Sequence, residues 1–481
     1  MRRLLQMVKK FPNDFWWGAA SSGPQSEGRF NKKHSSNFDY LYDTRPELFY
    51  DNVGPNTASN FYNSFREDIK LLKDIGFNSA RTSIQWARLI DDFETATLDP
   101  DGVRFYNDVI DEYIKQGIRP VIALNHFDLP VELEHKYGGW LSKHVIELYV
   151  KFARKAFELY SARVVDWFTF NEPIVVAECG YLYQYHYPMI VDGKKAMQAA
   201  FNIQVASAKA IEAFRKYNEN PAGKIGIVLN LTPPYPASTI EWDMLASFHA
   251  NLFKNRMFLD PSVLGEYPKE LLSILENDGV IWDASNDEYQ VIKENTVDYL
   301  GVNFYHPFRV KSPEISADAL ATDWMPHRYY DHYEMPGRRM NMDRGWEIYP
   351  QALYDIGINI KENYGNIPWF VSENGIGISR EERWTDEQGV VHDNYRIQFV
   401  TEHLYHLHEA IEAGSNCFGY HMWTPIDCWS WCNAYKNRYG FIATDIRTQI
   451  KTIKKSGHWF KTVAETNNLN VPKDISDKFV K

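Results

Sequence analysis

The sequence has few of the residues that define disulfide-stabilised or metal-binding proteins. Its 481 residues include four cysteines, Cys179, Cys417, Cys428 and Cys432, which are too few for a disulfide framework in a chain of this length. Cys428 and Cys432 are four positions apart, but no second pair of cysteines or histidines completes a zinc site. We therefore expect reduced thiols, with no metal and no cofactor.

Long apolar runs and an excess of positive charge are also absent. No uninterrupted apolar stretch reaches the about 18 residues that a membrane-spanning helix requires, and residues 1–10 lack the apolar core of a signal peptide. The net charge of −11 disfavours a nucleic-acid-binding protein, because phosphate contacts need a basic surface. The sequence predicts a cytoplasmic protein with no membrane segment and no nucleic-acid partner, in which residues 1–10 form a flexible leader.

The composition is globular and rich in aromatic residues. Hydrophobic residues make up 44% of the chain and charged residues 24%, which is enough apolar material for a large core. Aromatic residues make up 15%, and their flat faces stack on apolar surfaces such as those of sugars. No linker, repeat or low-complexity tract divides the chain, so we interpret residues 1–481 as one domain. The sequence leaves open whether the chain forms a homo-oligomer.

Short apolar runs alternate with helical segments in which apolar residues recur at intervals of three and four. Eight strands joined by helices close most simply into a (β/α)8 barrel, the TIM-barrel fold. The alternative, an open doubly wound sheet, would show a glycine-rich phosphate loop after its first strand, and none is present. The predicted strands cover residues 15–21, 78–84, 120–125, 164–171, 224–230, 297–303, 369–373 and 418–423. The predicted helices cover residues 60–75, 103–116, 144–160, 196–217, 244–258, 350–364 and 396–413.

The chain is longer than the roughly 250 residues of a minimal barrel. We expect the excess in long loops at the C-terminal face of the barrel, where loops build active sites. The longest predicted loop, residues 307–344, follows the sixth strand and is rich in Asp, His, Tyr, Met and Arg. This loop either covers the bound substrate as a lid or lies on the surface with no part in binding, and the sequence is compatible with both.

Two glutamates end predicted strands in similar contexts. Glu172 follows one apolar run and precedes Pro173, and Glu373 follows another and precedes Asn374 and Gly375. Each alone fits an ordinary strand exit or turn. Because the carboxyl ends of all barrel strands meet at one face, polar and aromatic side chains at these ends favour an active site. The further residues of this kind are Gln25, Arg81, His126, Asn171, Asn303, Tyr305 and Trp423.

Several blocks of the sequence resemble, in order, the motifs of the family-one β-glycosidases. The N-terminal block, residues 11–28, reads FPNDFWWGAASSGPQSEG. The resemblance covers essentially the whole chain and implies the same barrel and a retaining glycosidase activity. The later blocks lie around Arg81 and Trp86 and at residues 125–130, 169–173, 303–305, 345–350, 372–375 and 423–440.

The resemblance assigns catalytic roles to the two glutamates. Retaining cleavage needs two carboxyl groups roughly 5 to 5.5 Å apart, one that attacks the anomeric carbon and one that protonates the leaving oxygen. By motif match, Glu373 is the nucleophile and Glu172 is the acid/base. The charge of Glu373 raises the proton affinity of Glu172 and keeps an acid available near neutral pH. The same match places Arg81 and Tyr305 beside Glu373, where they support the nucleophile.

The resemblance also implies a set of substrate-binding residues. Asn171 is expected to contact the sugar 2-hydroxyl, an interaction that strengthens in the transition state. Trp423 is expected to stack beneath the sugar, and Trp346 to flank the aglycone. Further binding residues are Gln25 and His126, which with Asn171 form the polar set for the glycone, and Asn303.

Substrate preference depends on the block at residues 427–440. Ordinary β-glucosidases of the family carry a glutamate where Ser430 stands, and a carboxylate there would repel a phosphate. The branch that acts on 6-phospho-β-glycosides carries serine, followed by a lysine and a tyrosine, and this sequence resembles it at Ser430 and Tyr439. It departs at Asn437, which occupies the lysine position. A missing charge-assisted contact costs about 1.5 to 3 kcal/mol, roughly ten- to more than hundredfold in affinity.

Two further features bear on the substrate. Lys436 and Arg438 flank Asn437, but their side chains need not face the pocket. Trp431 resembles the aromatic residue of both 6-phospho-β-galactosidases and unphosphorylated β-glucosidases. We predict hydrolysis of a small phosphorylated β-glycoside, such as a cellobiose 6-phosphate-like or aryl 6-phospho-β-D-glucoside. The alternatives are a 6-phospho-β-galactosidase or dual activity, an unphosphorylated β-glucosidase, and a non-catalytic sugar-binding protein.

Overall fold

Eight parallel strands close into a barrel whose strand order follows the chain. The computed structural model describes residues 7–319 and 323–473. Each barrel strand pairs with its neighbours in sequence, and the eighth pairs with the first. The predicted (β/α)8 fold is therefore confirmed. The strands are β1 (Trp16–Ala20), β2 (Ser79–Ser83), β3 (Arg119–Ala123), β4 (Asp166–Asn171), β5 (Lys224–Asn230), β6 (Tyr299–Asn303), β7 (Trp369–Glu373) and β8 (Cys417–Trp423).

Side chains fill the interior of the barrel. One buried cluster joins Val121 from β3, Phe168 from β4, Val228 from β5, Tyr299 from β6 and Phe370 from β7. Helices cover the outer face, so the strands are buried on both sides, as in β4, where all six residues are buried. This double burial explains why most of these strands read as apolar runs rather than as alternating patterns.

Long amphipathic helices surround the barrel, and local signals set their ends. At the start of one helix, the Asp99 side chain accepts hydrogen bonds of 2.9 Å from the backbone N–H groups of Asp101 and Gly102, which is a side-chain cap. Apolar faces of these helices pack on the strands and on each other. The surrounding helices are Phe61–Asp74, Pro100–Lys115, Lys143–Tyr160, Gly193–Tyr217, Ala352–Asn363, Asn394–Glu412 and Lys455–Thr466.

The helix predicted at residues 244–258 differs in form. The structure has an α-helix Glu241–Asn251, a π-helical turn Leu252–Arg256 and a second α-helix Met257–Val263. A π-turn inserts an extra residue and is frequent at functional sites. The shorter helices are Gly23–Ser26, Asn37–Thr44, Trp86–Leu89, Val131–Tyr137, Pro173–Tyr181, Lys269–Asn277 and Asn286–Glu294.

The expectation of a flexible leader at residues 1–10 is corrected over its last four residues. Met7–Lys10 is a strand that pairs antiparallel with Asn468–Val471. The pairing joins the two ends of the described chain and continues through the Phe11 N–H, which donates to the Asn467 carbonyl at 2.8 Å. Residues 1–6 lie outside the described ranges.

The expected long loop at residues 307–344 contains secondary structure of its own. Phe308–Lys311 pairs with Pro234–Pro236 and with Asp331–His332. Met340–Asn341 pairs with Trp346–Glu347, and the two form a hairpin. Two further small ribbons pair Ile90–Asp92 with Thr97–Leu98, and Ile442–Thr444 with Lys451–Ile453. Within the described ranges, no helix is both long and apolar enough to cross a bilayer.

Candidate active site

A cavity of about 690 Å³ opens at the carboxyl ends of the barrel strands. Glu172 directly follows β4, Glu373 is the last residue of β7, and both line the cavity. The barrel thus brings together side chains that are far apart in sequence. The sequence-predicted residues that line the cavity are Gln25, His126, Asn171, Glu172, Asn303, Tyr305, Trp346, Glu373, Trp423, Ser430, Trp431 and Tyr439.

Glu373 is bound by two neighbours on the barrel. The Arg81 guanidinium, from β2, forms an ion pair with its Oε1, and the Tyr305 hydroxyl donates to its Oε2 at 2.6 Å. Arg81 is itself fixed, because its Nη1 donates to Asn171 Oδ1 at 2.9 Å and to Ser372 Oγ at 2.7 Å. Burial raises the pKa of Tyr305 well above its ordinary value, so its hydroxyl stays a donor. Both carboxylate oxygens therefore accept charge-assisted hydrogen bonds that fix their direction.

Glu172 stands in a different environment, between β4 and helix Pro173–Tyr181. Its backbone φ of 46° lies in the left-handed region, which is uncommon for a residue other than glycine and typical of functional sites. Asn303 Nδ2 donates to its Oε1 at 2.7 Å. Burial, and then the charge of Glu373, raise the pKa of Glu172 to about 8 against the opposing effects of Asn303 and Arg81. Glu172 therefore keeps its proton at neutral pH.

A connected set of polar side chains adjoins the two glutamates. Asn303 Nδ2 also donates to Asn171 Oδ1 at 3.1 Å, and Asn171 Nδ2 lies 3.4 Å from His126 Nε2. Burial and the charge of Arg81 lower the pKa of His126 well below its ordinary value, so the ring is neutral. Among the described residues, His126 Nδ1 and Asn303 Oδ1 have no hydrogen-bonding partner. Buried polar atoms are normally paired, so these two atoms suit the hydroxyls of a ligand.

Gln25 is anchored at the cavity wall by both ends of its amide. Its Nε2 donates to the Trp429 carbonyl at 3.0 Å, and its Oε1 accepts from Ser22 Oγ at 2.9 Å. The amide nitrogen carries two hydrogens. The second hydrogen is therefore available to a ligand in a fixed direction.

Aromatic rings form much of the remaining wall. Trp423, the last residue of β8, stacks on His126 with ring centroids 5.7 Å apart. Trp431 stacks on the same histidine at 6.0 Å. Across the cavity wall, Trp346 packs against Tyr305 with ring centroids 5.2 Å apart. Flat apolar surfaces of this kind suit the faces of a sugar ring.

The structure differs from the sequence expectation at Asn437. Ser430 and Tyr439 line the cavity, whereas Asn437 is buried behind its wall. The Asn437 Nδ2 donates to the backbone carbonyl of Asp343 at 3.2 Å. This residue therefore serves the loop that contains Asp343 instead of pointing at a ligand.

The two cations that flank Asn437 in sequence also lie outside the cavity lining. The Lys436 side chain is exposed, with its Nζ 5.8 Å from the centre of the Tyr50 ring. Arg438 Nη1 donates to the Thr444 carbonyl at 3.4 Å. A positive charge for an anionic ligand must therefore come from elsewhere in the chain.

Sequence reasoning missed two cations that do line the cavity, Arg344 and Lys254. Arg344 stands at the end of the predicted long loop, and the arginine-rich composition of that loop was the available signal. Lys254 lies in the π-helical turn and pairs with Glu178 Oε1 at 2.6 Å. A lysine in an amphipathic helical pattern normally reads as solvent-facing, so the sequence carried no signal for it.

The titratable groups that line the cavity are carboxyls, aromatic hydroxyls, histidines, cysteines and these two cations. Among residues 7–319 and 323–473, no group of three or more His, Cys, Asp or Glu side chains is placed to hold a metal ion. All four cysteines are unpaired. The cavity combines one protonated carboxyl with one ion-paired carboxylate, the pair of groups that glycoside cleavage requires.

Comparisons with known proteins agree with this geometry. The sequence profile of Glycosyl hydrolase family 1 matches residues 7–469. The chain is 50% identical over 459 residues to the 6-phospho-beta-glucosidase GmuD of Bacillus subtilis, covering 95% of this chain and 98% of that protein. It is 33% identical to a 6-phospho-beta-galactosidase of Clostridium acetobutylicum, and the match covers 96% of this chain and 98% of that protein. The structure of the family 1 b-glucosidase from Thermotoga maritima has the same fold, with a TM-score of 0.86 and 32% sequence identity. The match covers 96% of this chain and 99% of that chain.

Proposed function

Because the chain belongs to glycosyl hydrolase family 1 and is a glycosidase, we propose that it hydrolyses 6-phospho-β-D-glucosides with retention of configuration. The observation that carries the proposal is that Ser430 and Tyr439 both line the cavity, because these two hydroxyls can donate to a phosphate that a carboxylate would repel. The 50% identity to a 6-phospho-beta-glucosidase supports the same substrate class.

In the first step, one carboxylate oxygen of Glu373 attacks the anomeric carbon as the bond from that carbon to the leaving oxygen breaks. Glu172 gives its proton to the leaving oxygen, and the product is a glycosyl ester of Glu373. The raised pKa of Glu172 supplies this acid at neutral pH. Arg81 and Tyr305 hold the attacking carboxylate in place.

In the second step, water hydrolyses the glycosyl ester. Esterification removes the charge of Glu373, which is one of the causes of the raised pKa of Glu172. Glu172, now a carboxylate, takes a proton from water, whose oxygen attacks the anomeric carbon while the ester bond breaks. The electron pair returns to Glu373, and two inversions leave the original β configuration.

The polar set beside the glutamates binds the glycone in this proposal. Asn171 lies between Arg81 and Asn303, a position that suits a contact with the 2-hydroxyl next to the anomeric carbon. Gln25 and His126 present fixed polar atoms to the more distant hydroxyls. Trp423 and Trp346 supply the apolar faces for the glycone and the aglycone, respectively.

A second candidate substrate is the corresponding 6-phospho-β-galactoside. Trp431 lines the cavity and stacks on His126, at a position where 6-phospho-β-galactosidases also carry an aromatic residue. The 33% identity to a 6-phospho-beta-galactosidase supports the same alternative. The two substrates differ at the 4-hydroxyl, which this wall would contact.

We place the reaction in the cytoplasm. The four unpaired cysteines fit a reducing compartment. A phosphorylated sugar carries a charge that keeps it on the side of the membrane where it is made.

The test compares kcat/KM for the 4-nitrophenyl 6-phospho-β-glucoside, 6-phospho-β-galactoside and unphosphorylated β-glucoside. We expect the first to be the best substrate, with the unphosphorylated glucoside at least tenfold poorer (roughly the value of one charge-assisted contact). Faster turnover of the unphosphorylated glucoside would contradict the phosphate assignment. Glu373→Ala is the control, because it lacks the nucleophile. If the wild type and Glu373→Ala both bind the sugar and neither hydrolyses it, the protein is a sugar-binding protein and not a hydrolase.

A further inference from the structure

We propose that Arg344 supplies the cationic contact to the 6-phosphate of the substrate, in place of the lysine that Asn437 replaces. This inference rests on the proposed function and adds a specificity-determining residue to it. Arg344 belongs to a different loop from Ser430 and Tyr439, yet all three line the same cavity.

Arg344 lies in the turn of a well-formed hairpin. Asn341 and Trp346 are cross-strand partners on either side of the turn. The Gly345 N–H donates to the Asn341 carbonyl at 2.8 Å, and the φ of Gly345 is 77°, a conformation that favours glycine. The turn therefore presents Arg344 in a fixed direction.

The guanidinium of Arg344 points along the cavity wall toward Tyr439. Its central carbon lies 4.1 Å from the centre of the Trp346 ring, and its Nε donates to the Tyr439 hydroxyl at 3.2 Å. Because the Tyr439 oxygen accepts this bond, its own hydrogen remains available for a ligand. Stacking on an aromatic ring restricts the guanidinium and preserves its charge.

Among the described residues, no acidic side chain neutralises the charge of Arg344. Across residues 7–319 and 323–473, no carboxylate lies within 4.0 Å of its guanidinium nitrogens, and Nη1 and Nη2 have no hydrogen-bonding partner. Lys254, which also lines the cavity, is neutralised by Glu178 at 2.6 Å. Arg344 is therefore a cation at the cavity wall whose Nη1 and Nη2 can both donate to a ligand. A guanidinium with two such donors binds phosphate in a bidentate manner.

Asn437 connects the missing lysine to this arginine. Its Nδ2 donates to the carbonyl of Asp343, the residue that precedes Arg344, at 3.2 Å. The Asp343 carboxylate is held elsewhere, by Ser379 Oγ at 2.6 Å and Arg383 Nη2 at 3.3 Å. Asparagine at 437 thus stabilises the turn that presents Arg344.

The test measures kcat/KM for the phosphorylated and unphosphorylated 4-nitrophenyl β-glucosides in Arg344→Gln. We expect the ratio of the two values to fall at least tenfold (about the value of one charge-assisted contact), chiefly through KM of the phosphorylated substrate. Lys436→Gln is the matched control, because it removes a positive charge next to position 437 from outside the cavity. Its ratio should stay within about twofold of wild type, as for an exposed and unpaired charge.

Two further measurements separate binding from folding. The double variant Arg344→Gln with Asn437→Lys should regain part of the preference for phosphate, because a lysine at 437 returns a cation to the loop of Ser430 and Tyr439. Inhibition by glucose 6-phosphate should weaken in Arg344→Gln relative to inhibition by glucose, with an unchanged thermal unfolding midpoint.

The outcomes distinguish this inference from the proposed function. An Arg344→Gln variant that keeps the wild-type preference for the phosphorylated substrate would overturn the role of Arg344 and leave the proposed function standing. A wild-type enzyme that prefers the unphosphorylated glucoside would contradict the proposed function itself, and the inference with it.

Discussion

Replacing Glu373 by glutamine is expected to lower the pKa of Glu172 by about two. Burial is the first cause of the raised value of about 8, and the charge of Glu373 is the second. Two carboxylates roughly 5 to 5.5 Å apart, as in a retaining pair, repel by about 3 kcal/mol at an effective dielectric constant of about 20. Since one pKa unit corresponds to about 1.4 kcal/mol, removal of this repulsion should lower the pKa of Glu172 by about two. Burial persists in the variant, so the pKa should stay above that of an ordinary glutamate.

The assay is a pH titration of the protein labelled with 13C at the glutamate carboxyl groups, with Glu172→Gln used to assign the signal. Tyr305→Phe is the matched control, because it removes a contact to Glu373 but keeps the charge. Loss of one partner from the buried Arg81 pair destabilises a fold by about 3 to 5 kcal/mol, so thermal unfolding of the glutamine variant must be measured first. An unchanged or higher pKa of Glu172 in folded Glu373→Gln would show that the charge of Glu373 does not raise it.

Three other outcomes follow from the site. The kcat/KM of the wild type should fall as pH rises through about 8, because Glu172 must be protonated to act as the acid; a profile that stays flat well above this pH would contradict that role. Tyr305→Phe should lower kcat by about ten- to hundredfold in steady-state assays, since it loses a charge-assisted bond worth about 1.5 to 3 kcal/mol. Tyr299→Phe is the control and should change kcat little. The Tyr299 hydroxyl donates to the Trp167 carbonyl at 3.2 Å inside the barrel. Ser430→Glu should lower kcat/KM for the phosphorylated glucoside and raise it for the unphosphorylated one, because a carboxylate repels phosphate and accepts from sugar hydroxyls; equal losses on both substrates would count against a phosphate at this wall.

The barrel was predictable because its strands are buried on both faces. Strands β5 and β7 agree with the predicted segments at both ends, and the other barrel strands differ by two residues or fewer at each end. The strand Met7–Lys10 was not predictable. Its residues alternate between partly buried and exposed, and an alternating pattern over four residues is too short to indicate a strand. Its partner, Asn468–Val471, is at the far end of the chain, where no local pattern points to it.

The predicted site residues that line the cavity include the glutamates and other strand-end side chains. Position in the barrel is enough to place those side chains, because all carboxyl ends of the strands meet at one face. Asn437 and Arg344 are loop residues, and the direction of a loop side chain depends on contacts such as the bond from Asn437 to the Asp343 carbonyl. Those contacts arise only when distant segments pack together.

If Glu373 attacks a 6-phosphorylated β-glucoside, a glycosyl ester must form on its side chain. The most direct measurement incubates the enzyme with a 2-deoxy-2-fluoro-β-glucoside 6-phosphate that has a good leaving group, followed by intact-mass and peptide-mass analysis. We expect one added 6-phospho-2-fluoroglucosyl unit per chain, attached to Glu373, and slower labelling by the analogue that lacks the phosphate. A label on another residue would contradict attack by Glu373, and faster labelling by the unphosphorylated analogue would contradict the preference for a phosphorylated substrate.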